Sequence, residues 1–71
     1  MKKMKVEVVI TLVGGHKHTM TGFLGDIRIT DMYITHFNVP DSNGRGTYDF
    51  VVNMKNVLFY ELHEYEVEVD E

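Results

Sequence analysis

The sequence predicts an all-β fold, a small five-stranded antiparallel barrel with strongly bent strands. Three observations carry that prediction. Apolar residues recur at alternate positions through most of the chain, which is the strand period. Short breaks rich in glycine or asparagine divide the pattern into five stretches. Within the longer stretches the parity slips once, as it does where an extra residue bends a strand.

Each stretch can be read in turn. In the first, Val6, Val8, Ile10 and Leu12 share one face, and Glu7, Val9, Thr11 and Val13 share the other. Gly14-Gly15 ends it as a hairpin turn. The second runs from Lys17 to Leu24, with Gly22 marking a bend or a close backbone approach. Gly25-Asp26 reads as a two-residue type II′ turn. The third, Ile27 to Val39, is rich in β-branched and aromatic residues. Ile27 and Ile29 fall on one parity and Met32 and Ile34 on the other, so a bulge is expected near Thr30-Asp31. Asn38 to Gly46 holds the only proline and the only serine and reads as the one long loop. Tyr48, Phe50, Val52 and Met54 alternate in the fourth stretch, which closes on Lys55-Asn56. The last stretch opens on Leu58, Tyr60 and Leu62 and finishes on Tyr65, Val67 and Val69, with a slip expected near His63-Glu64. No segment has a helical period. Most of Tyr33, Phe37, Tyr48, Phe50, Phe59, Tyr60 and Tyr65 lie at parity suited to a core.

The chain has 71 residues, so a single domain spanning 1–71 is expected. A chain this short buries only about 60% of its unfolded surface, which makes a lone monomer marginal. It contains no cysteine, which removes disulfides and Cys-based zinc sites as reinforcement. Good packing or self-association is then what remains. No apolar run approaches the roughly 20 residues that span a bilayer. Glu7 and alternating residues follow the basic start in place of an apolar block, so a soluble cytoplasmic protein is expected. The formal net charge is -4, and the acids are concentrated at the end. Lys2, Lys3 and Lys5 open the chain; Glu61, Glu64, Glu66, Glu68, Asp70 and Glu71 close it. Antiparallel pairing of the first and last strands brings the two together, and opposite charges across strands contribute about 0.2–1 kcal/mol per pair.

The strand order resembles the Sm-like barrel, an SH3-like small barrel. Val51-Val52-Asn53-Met54-Lys55-Asn56-Val57-Leu58-Phe59-Tyr60 resembles that family's second motif, and Gly14-Gly15 with Gly22 resembles the first. Gly-Gly stands where the family has Asp-Gly, and Met54-Lys55 where it has Arg-Gly. The resemblance therefore implies the barrel and ring-like self-association more than RNA binding.

Few residues suggest chemistry. His16 and His18 lie on one side of a strand, but a metal site needs a third ligand. The expectation is an exposed hairpin tip with no metal and no cofactor. Ser42 sits in an Asp-Ser-Asn-Gly turn, where serine bonds its own backbone. No nucleophile-elbow motif and no phosphate-cradling loop occur, so no enzyme is expected. His16, Lys17, His18, Arg28 and Arg45 are the candidate cationic binding residues, and Glu64, Glu66 and Glu68 the acidic ones. Val9, Val13 and Val51 are apolar residues on the outer faces, and so are candidates for an interface between subunits.

Together these features point to a non-enzymatic module that forms a homo-oligomer and binds another macromolecule, expected to be a protein. An Sm-like nucleic-acid-binding protein is the alternative, although such proteins are normally basic. A small inhibitor of a host protein, of the kind phages encode, is a third reading.

Overall fold

The computed structural model describes residues 1–70, and Glu71 lies outside them. The chain is all-β and forms two three-stranded antiparallel sheets. Six strands run in chain order: β1 (Lys2–Leu12), β2 (Lys17–Phe23), β3 (Ile27–Ile29), β4 (Tyr33–Pro40), β5 (Thr47–Asn53) and β6 (Val57–Glu68). One sheet has the order β2-β1-β6 and the other β3-β4-β5. A 3-10 turn, Met54–Asn56, joins β5 to β6. No helix among the described residues is long and apolar enough to cross a membrane.

The expected closed five-stranded barrel is not found. Two differences account for this. First, the long third stretch is two strands. Thr30 makes a tight hairpin where a bulge was expected: its hydroxyl accepts from the Met32 and Tyr33 amides at 3.3 and 3.1 Å and donates to the Tyr33 carbonyl at 3.2 Å. These bonds give the backbone a local alternative to the strand, so β4 folds back on β3, with Ile29 opposite Ile34. Second, neither β2 with β3 nor β5 with β6 is joined by a ladder, so each sheet keeps two open edges.

The bulges also lie elsewhere. In β4, Phe37 and Asn38 together oppose Asp49, since His36 pairs with Phe50 and Val39 with Tyr48. Asn38 takes a φ of 55°, a left-handed conformation that asparagine tolerates better than most residues. Its amide donates to the Asp49 carboxylate at 3.1 Å. Asn38→Gly should leave stability within about 0.5 kcal/mol, whereas Asn38→Val should cost about 1–3 kcal/mol; thermal melts of the two variants check this. In β6 the ladder is continuous from Glu68 to Phe59, with no slip near His63-Glu64. The irregularity is at the other end, where Thr11 pairs with Phe59 but Leu12 with Val57, leaving Leu58 as the extra residue.

The turns follow the glycines. Gly14 and Gly15 both have positive φ, at 100° and 89°, and join β1 to β2 as a hairpin in which Gly22 faces Val6 and Met20 faces Val8. The next turn differs from the expected II′ form. The Asp26 amide donates to the Phe23 carbonyl at 2.9 Å, so Gly25 (φ 103°) is the third turn residue and not the second. The Asp26 carboxylate also accepts from the Phe23 amide at 3.0 Å. This corner carries the chain from the first sheet to the second. Gly22 lies against it: a Cβ there would sit 3.1 Å from both Asp26 Cβ and His36 Nε2. Asp26 is held by its own hydrogen bonds, so it does not give easily. Gly22→Ala is expected to cost about 1–3 kcal/mol, measurable as a lower urea midpoint.

The core is small and aliphatic. Val6, Val8, Ile10, Met20 and Ile34 are buried, with Leu12, Ile27, Ile29, Phe50, Val52, Met54 and Val57 packed around them. The face of β1 read from its alternation is therefore the buried one. The aromatic core expected from parity is not formed: Tyr33, Tyr48, Phe59, Tyr60 and Tyr65 are all exposed. All but Tyr33 lie on β5 or β6, which are open edges, and the opposing sheet does not cover them.

Candidate interaction surfaces

Residues on β6 are brought to the surface by its position at the edge of the β2-β1-β6 sheet. One side of its backbone pairs with β1 and the other has no partner strand. It is twelve residues long, about twice the usual strand length. Leu58, Phe59, Tyr60, Leu62 and Tyr65 on it are all exposed, Leu58 at 60%. Exposed edges are normally blunted by lysine, proline, bulges or short length. From Phe59 to Glu68 this edge has none of these and carries only acids and one histidine as polar guards.

The β1 register assigns the faces. Ile10 pairs with Tyr60, Val8 with Leu62, Val6 with Glu64, Met4 with Glu66 and Lys2 with Glu68. Directly opposed residues point to the same face of a sheet. Tyr60, Leu62, Glu64, Glu66 and Glu68 thus form one row on the core side, apolar at one end and acidic at the other. The other face carries Glu61, His63 and Tyr65, with His63 Nε2 3.5 Å from the Glu61 carboxylate.

The sequence reading of the charged ends holds in register but only partly in contact. The first and last strands do pair antiparallel, and Lys2 lies opposite Glu68. The amino terminus is 3.5 Å from the Glu68 carboxylate. Lys3 and Lys5, however, stand on the opposite face from the acidic row. Their ammonium groups lie 5.6 and 5.3 Å from the centre of the Phe23 ring, within cation–π range. The acidic row therefore lies on one face of the β1–β6 ribbon, and Lys3 and Lys5 lie on the other, together with Glu7 and Glu61.

A second candidate is the cleft between the sheets. His18, Met20, His36, Val39, Tyr48 and Phe50 line a volume of about 200 Å³. His18 on β2 stacks on Phe50 on β5, with ring centroids 4.6 Å apart and planes 19° apart. The β4 bulge places Val39 and Tyr48 at the cleft's edge. The volume is below the roughly 300–1,000 Å³ of typical ligand sites. No carboxylate is among the residues that line it.

The remaining sequence candidates are dispersed. His16 and Lys17 are exposed at the β1–β2 hairpin, while His18 turns into the cleft. Arg28 is exposed on β3, and Arg45 is exposed in the β4–β5 loop. Among the described residues no group of three or more His, Asp or Glu is placed to hold a metal. Val9, Val13 and Val51 do not form one surface. Val9 is half-buried between Thr19 and Glu61, Val13 is in a turn, and Val51 is on the outer face of the other sheet, opposite Thr35. The larger apolar surface is on β6, which alternation alone did not separate from core. Its signal was that apolar residues occur at both parities of the last stretch, which a strand with one covered face does not need.

Compared with protein-family models, curated proteins and solved structures, the chain matches none.

Proposed function

We propose that the protein is a non-enzymatic interaction module that self-associates and binds a further macromolecule, a protein, through its open β-edges. The observation that carries this reading is β6, a twelve-residue edge strand with exposed Leu58, Phe59, Tyr60 and Leu62. An unpaired strand of this kind is a template for main-chain pairing with another chain, with side-chain rows supplying specificity. The small core gives a second reason, since a domain of this size gains stability from a partner that covers apolar surface.

The charge distribution favours protein over nucleic acid. The net charge is -4; beyond Lys2, Lys3 and Lys5 on β1, which stand among the carboxylates of β6, the cations Lys17, Arg28, Arg45 and Lys55 lie on separate elements, whereas a nucleic-acid surface needs a clustered basic patch. Light scattering at micromolar concentration tests the self-association, with a mass above that of one chain expected. A clean monomer across the concentration range would sink it.

A further inference from the structure

We infer that the further protein bound at the open edge presents an extended cationic segment, which adds antiparallel to residues 60–66 of β6. The inference rests on the reading above and adds the chemistry and direction of the partner.

Residues 60–66 lie in the regular part of β6. The ladder to β1 is continuous from Phe59 to Glu68, clear of the irregularity at Leu58. The other side of this backbone has no partner strand. Tyr60, Leu62, Glu64 and Glu66 form the row on the core-side face, and all four are exposed. A segment laid along this edge therefore meets two apolar and two acidic side chains at alternate positions. Directly opposed residues share a face, so the matching residues of the segment also recur at every second position.

Charge complementarity selects the occupant. The carboxylates on either side of Glu64 and Glu66 are answered within the chain. Glu68 has the amino terminus at 3.5 Å and Lys2 opposite it, and Glu61 has His63 Nε2 at 3.5 Å. Glu64 and Glu66 instead lie opposite Val6 and Met4, and among the described residues neither forms an ion pair. β6 contains no lysine or arginine, so the same strand of a second copy brings these two carboxylates no cation. Opposite charges across strands stabilise pairing and like charges oppose it, so a different sequence fits this half of the edge. Both sheets here are antiparallel, and parallel pairs are slightly less stable per residue. In an antiparallel addition the cations lie N-terminal to the apolar residues. The segment then reads Lys/Arg-x-Lys/Arg-x-apolar-x-apolar, with β-branched side chains suited to the apolar places. Tyr60 and Leu62 also serve self-association, so the partner competes with a second copy.

The test is fluorescence anisotropy of a labelled peptide, Lys-Thr-Lys-Thr-Val-Thr-Val, titrated with the full chain at a dilution where light scattering gives the mass of one chain. Binding is expected, and the control Glu-Thr-Glu-Thr-Val-Thr-Val should not bind. Glu64→Lys should weaken the lysine peptide about tenfold in Kd, since one attraction becomes a repulsion. Asp31→Lys, the same change of charge at the exposed β3–β4 hairpin, should alter Kd by less than about twofold, because separated exposed charges are screened. Glu64 is exposed, so its variant should keep the parental circular dichroism spectrum. Equal binding of the two peptides, or equal weakening by Glu64→Lys and Asp31→Lys, overturns the cationic segment and leaves the proposed function standing. Binding of neither peptide also overturns it, and the proposed function then stands or falls on the mass of the parent protein across its concentration range.

Discussion

Ile10→Ala is expected to leave the protein largely unfolded at room temperature. Ile10 is fully buried, at the centre of a core of five buried apolar residues. It lies on β1, the middle strand of its sheet, between His18 on β2 and Tyr60 on β6. Removing a buried isoleucine side chain to the β-carbon costs about 2–5 kcal/mol, because transferred surface and a residual cavity add. A single core in a chain this short supplies about 3–5 kcal/mol in all. The loss is thus comparable to the whole stability, with no disulfide or metal among the described residues to offset it. Urea denaturation followed by circular dichroism checks this. Val13→Ala, at a site 60% exposed, should shift stability by less than about 0.5 kcal/mol. An Ile10→Ala variant with the parental midpoint would mean that the core lies elsewhere.

Leu62→Lys is expected to leave the fold intact and abolish self-association. Leu62 is 48% exposed on the open edge, so a lysine there keeps its charged end in water while its stem covers the same surface. The change in monomer stability should stay within about 0.5 kcal/mol. Between two copies the same lysine is desolvated at the centre of the apolar row. Central interface residues commonly contribute about 2 kcal/mol or more, so Kd should rise by at least about thirtyfold. Thermal melts at low concentration separate this effect from misfolding.

Strand content and core were legible in the sequence where one face of a strand is covered. The alternation of Val6, Val8, Ile10 and Leu12 identified the buried face of β1, and Gly22 identified the close approach at the corner. The antiparallel pairing of β1 with β6 followed from strand order and charge. Closure into a barrel was not legible, because it turns on the Thr30 hairpin and on the ladders that β2 with β3 and β5 with β6 do not form. A parity slip at Thr30-Asp31 fits a bulge or a hairpin equally well, and the Thr30 side chain selects the hairpin. The aromatic residues misled for a related reason. Their parity places them on a face of a strand, but whether that face is covered depends on where the strand sits in its sheet, which alternation does not encode. The cleft was invisible for the same reason: His18, His36 and Tyr48 come from three strands in two sheets.

The central claim is that the open edge of β6 is the surface through which the protein acts. Sedimentation equilibrium of the full chain and of Leu62→Lys, each followed over a dilution series, tests it most directly. A parent protein that moves from associated to monomeric on dilution is expected, with a variant that is monomeric throughout while keeping the parental circular dichroism spectrum. A parent that is monomeric at every concentration, or a variant that associates as tightly as the parent, would contradict it.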